Sequence, residues 1–133
     1  MTTAPSPPSA PGRVLIIDDD VGVARALSRA LRDHDVVTVA SGREALDLLA
    51  TDAGFDVVFC DLMMPDISGP EVYEQLEKTR PDLCARMVFM SGGAYSERTE
   101  EFASTTKCPL VSKPFDTKAV RALVTERVAA RAR

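Results

Sequence analysis

Short apolar runs alternate along this chain with longer segments in which apolar residues recur at helical spacing. The runs lie at 14–17, 36–39, 57–60, 87–90 and 109–111. They are continuous rather than alternating, the pattern of strands covered on both faces of a parallel sheet. Between them, Ala24, Leu27 and Leu31 mark the inner face of one helix, Ala45, Leu48 and Leu49 a second, and Val72 and Leu76 a third. A further helix is expected around 94–103, where the string SERTEEF leaves only a thin apolar face. Val120, Leu123, Val124 and Val128 form the stripe of the last helix. Ser41 with Glu44 and Ser68 with Glu71 have capping-box spacing, and Asp20 and Asp116 are candidate N-caps. Alternating β and α units of this length predict a doubly wound α/β fold, a three-layer sandwich. Ligands of such folds bind beyond the carboxyl ends of the strands, near the point where strand order reverses.

The first twelve residues, MTTAPSPPSAPG, hold four of the nine prolines and no charged side chain. They are expected to form a linker or tail (1–12) with polyproline II character, leaving 13–133 as one domain. At 133 residues the chain is too short for two ordinary domains. A net charge of −4 without a basic stripe excludes nucleic acid as the expected partner. No apolar run approaches the ~20 residues that span a bilayer, and no signal-peptide pattern opens the chain. The expected location is cytoplasmic, with no membrane contact. Cys60, Cys84 and Cys108 are far apart in sequence without metal-ligand spacing, and Cys60 reads as a buried small hydrophobe. His34, in the polar string RDHD, reads as a solvated loop residue.

Five polar residues follow the apolar runs: Asp18 and Asp19 after VLII, Asp61 after VVFC, Ser91 after MVFM, and Lys113 two residues past PLV. In a parallel sheet they meet at one edge. Two carboxylates ~4 Å apart repel by roughly 4 kcal/mol at an effective dielectric near 20. A hard divalent cation relieves that repulsion, and Mg²⁺ held by one or two carboxylates and phosphate oxygens is the expected form. Asp61, central in strand order, is the candidate nucleophile toward phosphorus, once cationic charge neutralises the phosphoryl oxygens. Lys113 supplies an ammonium, with Pro114 and Phe115 to fix its backbone. Ser91 supplies a hydroxyl donor, and Gly92 and Gly93 leave room beside it.

The strings VLIIDDD, CDLMMPDISG, FMSGG and SKPF resemble the four signature stretches of response-regulator receiver domains of two-component signalling, and the resemblance runs from about Arg13 into the last helix. It implies a flavodoxin-like (βα)5 sandwich with sheet order 2-1-3-4-5. By this resemblance Asp61 is the phosphoacceptor, taking its phosphoryl group from a histidine kinase or a histidine phosphotransfer domain. Asp18, Asp19, Asp61 and the Met63 carbonyl would hold Mg²⁺, Ser91 is the switch hydroxyl, and Lys113 contacts the phosphoryl group. The Lys113–Pro114 peptide is expected to be cis. The implied role is a phosphoryl-accepting signalling domain, not an enzyme.

Two departures from the family pattern stand out. Leu110 replaces an aromatic residue of the fifth strand, so a phosphorylation-driven change is expected to run through backbone around 91–104. The stretch ASTTKCP replaces a glycine–alanine turn. By the same resemblance, Met63 and Gly93 occupy positions that tune acyl-phosphate hydrolysis. Neither activates water, so autodephosphorylation is expected to be neither assisted nor strongly blocked, and equal half-lives for wild type and Met63→Asn would deny position 63 any role. The stretch MVFMSGGAYSERTEEF is similar to receivers at the C-terminus of hybrid sensor histidine kinases, the expected context. A stand-alone regulator is the alternative. A haloacid-dehalogenase-type phosphohydrolase is a remote third reading: Asp18–Asp20 followed by Val21 mimics its D-x-D string, but Asp61 would go unused. A receiver reduced to a binding module would lack an acidic or lysine residue, and all are present. The helix around 94–103, the fifth strand and the last helix form the family's partner face, here with Glu97, Arg98, Lys107 and Arg121, and dimerisation would use it.

Overall fold

The five apolar runs become five parallel strands in the computed structural model, which describes residues 11–92 and 97–131. They are β1 (Arg13–Ile17), β2 (Asp35–Val39), β3 (Val57–Asp61), β4 (Met87–Ser91) and β5 (Leu110–Ser112). Their order is β2-β1-β3-β4-β5, as expected for a flavodoxin-like sheet. The helices are α1 (Val21–Ala30), α2 (Gly42–Thr51), α3 (Gly69–Thr79), α4 (Pro81–Cys84), α5 (Glu97–Thr105) and α6 (Thr117–Arg131). Residues 1–10 of the expected tail, and Gly93, lie outside the described residues.

Strand periodicity divides the core in two. Leu15, Ile17, Val58, Cys60, Met87 and Phe89 turn toward α2, α3 and α4, where Ala45, Leu49, Val72, Leu76 and Leu83 meet them. Val14, Ile16, Val57, Phe59, Val88 and Met90 turn the other way, onto Ala24, Leu27 and Leu31 of the α1 segment and Val120, Val124 and Val128 of α6. Full burial of each such aliphatic or aromatic side chain contributes about 1.5–3 kcal/mol. Continuous apolar strings thus reflect cover on both faces for β1, β3 and β4. β2 and β5 have a neighbour on one side only; β2 mixes half-buried and exposed residues, and β5 exposes both Leu110 and Ser112.

The polar punctuation places the helices. Asp20 accepts from Gly22 N–H at 2.9 Å and Val23 N–H at 3.2 Å, capping α1. Asp20→Ala should therefore cost about 1 kcal/mol; an unchanged urea midpoint would count against this cap. Asp116 likewise accepts from Lys118 and Ala119 at the start of α6. Ser68 and Glu71 form the reciprocal capping box at α3. At α2 the Ser41 hydroxyl accepts from Glu44 N–H, and Asp66 from the next connection adds bonds from Gly42 N–H and Arg43 N–H at 3.3 and 2.9 Å. Burial would raise the Asp66 carboxyl, but the backbone donors of Arg43, Ile67 and Gly42 outweigh it and hold the carboxyl below its usual range.

Three differences from expectation have physical reasons. The turn α4 was not predicted; Pro81 at its first position starts it and fully buried Leu83 anchors it. The thin face of α5 suffices because Phe102 stacks edge-on against Phe89 at 4.9 Å and Tyr73 at 5.6 Å. His34 is not merely solvated: it is half-buried, and its Nδ1 accepts from Gly12 N–H at 3.0 Å.

At the amino end of the strands Arg13 gathers several partners. Its guanidinium donates twice to Asp52, at 2.8 and 3.0 Å, and lies 4.4 Å from the Phe55 ring centre. The bidentate bond raises Arg13 against its burial and lowers Asp52. The Arg13 backbone N–H donates to Asp56 at 2.8 Å, and Arg131, at the end of α6, reaches the same carboxylate at 2.7 Å.

Candidate functional site

At the opposite, carboxyl end of the sheet, two strands and two loops deliver the polar residues. β1 ends at Ile17, so Asp18 and Asp19 follow directly. β3 ends in Asp61 and β4 in Ser91, and Lys113 follows β5. One carboxylate oxygen from each of Asp18, Asp19 and Asp61 falls within 4.8 Å of the others. Lys113 Nζ lies 2.9 Å from Asp18 Oδ2 and 3.4 Å from Asp61 Oδ1. Backbone pairing ties the fourth and fifth strands together here, since Lys113 N–H donates to the Ser91 carbonyl at 2.9 Å. The Lys113–Pro114 peptide is cis.

Burial and charge set the electrostatics. Asp18 and Asp61 are 2% and 7% exposed, while Asp19 faces solvent. Burial, and then the Asp18 charge, push Asp61 up to about 6 against the pull of Lys113. Burial would lower Lys113, but the hydrogen bond to Asp18 and the charges of both carboxylates leave it raised. Two buried acids therefore share one ammonium, and the cluster carries uncompensated negative charge.

The fit to a cation follows from this imbalance. Asp18 Oδ1 accepts from Asp20 N–H at 2.9 Å. The buried Oδ2 is paired with the Lys113 ammonium at 2.9 Å. Three convergent carboxylates with one ammonium between them form a donor set that fits a hard divalent ion.

Two residues that shape the site were not singled out from sequence. A Cβ on Gly69 would lie 2.6 Å from the Asp61 carbonyl oxygen and 3.0 Å from Leu62 Cα, so α3 starts directly against the backbone that carries Asp61. Gly69 N–H also donates to the Leu62 carbonyl at 3.0 Å. Gly69 was visible in the string DISG, but its partner across space was not. Asp66, through its bonds to α2, fixes the other side of that loop. Of the remaining expectations, Met63 is exposed beside the site and Leu110 is exposed on β5. The side chains of Glu97 and Arg98 lie outside the described residues; Lys107 is exposed, and Arg121 pairs with Asp33 at 3.3 Å.

Comparison with known proteins agrees with this geometry. The response regulator receiver domain model matches residues 14–125. This chain belongs to that family. The receiver is 34% identical over 116 residues to the sensor kinase CckA of Brucella abortus, covering 85% of this chain and 12% of that protein. It is 42% identical over 90 residues to the response regulator MprA of Mycolicibacterium vanbaalenii, covering 66% of this chain and 38% of the other. The receiver therefore spans well under half the length of these relatives. A CheY-like receiver from Methanospirillum hungatei superposes with a TM-score of 0.77 at 22% identity, over 92% of this chain and 97% of that one, which shows the shared fold. Among the described residues no helix is long and apolar enough to cross a membrane.

Proposed function

We propose that this receiver accepts a phosphoryl group on Asp61 from a phosphohistidine donor. The observation that carries the reading is Lys113, whose ammonium sits between Asp18 and Asp61 at the edge where β1, β3 and β5 end. Asp18, Asp19, Asp61 and the Met63 carbonyl would hold Mg²⁺, which supplies charge neutralisation at the phosphoryl oxygens when bound. An Asp61 carboxylate oxygen forms the bond to phosphorus as the donor's nitrogen–phosphorus bond breaks, and the electron pair leaves with the imidazole. Lys113 stays on the phosphoryl oxygens after transfer, and the Ser91 hydroxyl donates to another of them.

A hollow of about 460 Å³ opens beside Lys113, lined by Val23, Leu27, Pro114, Phe115 and Val120 among others. Val21, at 60% exposure, and Met63, at 44%, add apolar surface near the acids. Apolar surface around a charged centre suits a protein donor, a histidine kinase or histidine phosphotransfer domain, better than a small metabolite. We place the chain in the cytoplasm. The likeness to CckA supports a hybrid sensor kinase as the larger context; the likeness to MprA supports a separate response regulator.

The test is incubation with acetyl phosphate and Mg²⁺, read by intact mass. One phosphoryl adduct is expected, lost in Asp61→Asn and lost in EDTA. An adduct that persists in Asp61→Asn would refute the assignment, and steady phosphate release would favour a phosphohydrolase.

A further inference from the structure

We propose that Cys84 and Cys108 form a reversible intramolecular disulfide, a thiol modification site at the amino end of the sheet, away from Asp61. Twenty-four positions apart in sequence, the two are brought together by the fold. Cys108 Sγ lies 3.6 Å from the Cys84 carbonyl oxygen, directly over the backbone of its partner. Cys84 sits in α4 with its own Sγ directed at the Tyr73 carbonyl, 3.7 Å away. Cys108 has its backbone fixed by a bond from its N–H to Thr106 Oγ1 at 3.2 Å. Closing the bond turns both sulfurs from their present carbonyl contacts onto each other, and a bridge requires Cα atoms about 4.4–6.8 Å apart.

The two thiols differ in a way that orders the chemistry. Cys84 is 8% exposed, and burial followed by the Glu77 charge pushes its thiol up to about 11. Cys108 is half-buried and reachable from solvent. With hydrogen peroxide as oxidant, the Cys108 thiolate attacks one peroxide oxygen, the O–O bond breaks, and a sulfenic acid forms with loss of hydroxide. The Cys84 sulfur then gives up its proton and attacks the Cys108 sulfur; the S–O bond breaks and water leaves. Two thiols and one peroxide give one disulfide and two waters, sulfur losing the two electrons that peroxide gains. Cys60 is fully buried in β3, and burial raises its thiol well above the usual range, so it serves as an internal control.

The bridge would join the segments that lead into β4 and β5, and its loop would enclose Ser91 and α5. The bond does not depend on the phosphoryl chemistry proposed above; only its consequence for the Ser91 segment rests on that reading.

The experiment oxidises the reduced full chain with hydrogen peroxide, unfolds it in N-ethylmaleimide and maps the peptides. One maleimide, on Cys60, and a Cys84–Cys108 cross-linked peptide within a single chain are expected, with all three thiols recovered after dithiothreitol. The bridged form should melt roughly 5–10 °C higher. Cys60→Ser should retain the bridge and Cys108→Ser should lose it. Because Cys108 is only half-buried, that variant remains informative even where Cys84→Ser fails to fold. Three maleimides after oxidation, a sulfinic acid on Cys108 beside free Cys84, or a bond between two chains would each overturn the proposal. Phosphoryl uptake by the bridged form, compared with the reduced form, then reports the consequence separately.

Discussion

Asp61→Asn should make the metal-free domain more stable by about 1–3 kcal/mol at pH 7.5, even as it removes the proposed acceptor. Burial and the Asp18 charge raise the folded-state carboxyl from 3.8 to about 6, and a shift of that size corresponds to an upper bound near 3 kcal/mol. The sign follows from proton counting. Between pH 3.8 and about 6 the folded state binds more protons than the unfolded one, so stability falls as pH rises through that window. Below it the penalty is absent, and above it the penalty is complete. Urea titrations in EDTA should therefore show the advantage of Asn at pH 7.5 shrinking toward zero near pH 3.5. Adding Mg²⁺ at pH 7.5 should narrow the gap from the other side, because the wild type gains more from binding a cation. Equal stabilities at pH 7.5 in EDTA would mean that Lys113 already neutralises the cluster.

Gly69→Ala should lower stability by about 2–3 kcal/mol, a melting shift of roughly 8–12 °C. Helix propensity alone argues the reverse, since alanine is favoured over glycine by about 1 kcal/mol within a helix. Space decides the sign: the new methyl would meet the Asp61 carbonyl oxygen at 2.6 Å and Leu62 Cα at 3.0 Å. Both are backbone atoms of the strand end, with no rotamer to yield. Either α3 moves away or Asp61 shifts, and displacement of a reacting group by about 1 Å can cost on the order of a hundredfold in rate. Phosphoryl uptake should slow by at least tenfold. Gly92→Ala is the control, because among the described residues its methyl would find only Lys113 Cδ at 3.8 Å. A Gly69→Ala protein as stable as Gly92→Ala would show that the α3 start relaxes freely.

The legible parts of this molecule are those encoded locally. A strand covered on both faces must be apolar throughout, and a helix start must satisfy its own first N–H groups; runs such as VVFC and caps such as Asp20 and Ser68 could therefore be read one segment at a time. The carboxylates, Ser91 and Lys113 were legible because a parallel sheet places every strand's carboxyl end on one edge. Contacts that cross between segments were not. Nothing in DISG says which carbonyl Gly69 presses against, nor does the spacing of Asp66 reveal that it caps α2. Cys84 and Cys108 read as unrelated for the same reason, and His34 read as solvated because Gly12 is distant in sequence. α4 was missed on grounds of length, since four residues are too few to show a period.

Asp56 receives both Arg13, where the first strand begins, and Arg131, at the end of the last helix. It immediately precedes β3, and Asp61 terminates that strand, so the carboxylate lies roughly 16 Å from the acidic cluster. The start of β1 and the end of α6 are thus fastened together on the side turned away from the acidic cluster. A label attached at either of these two points should therefore sit far from the acidic edge and leave it uncovered.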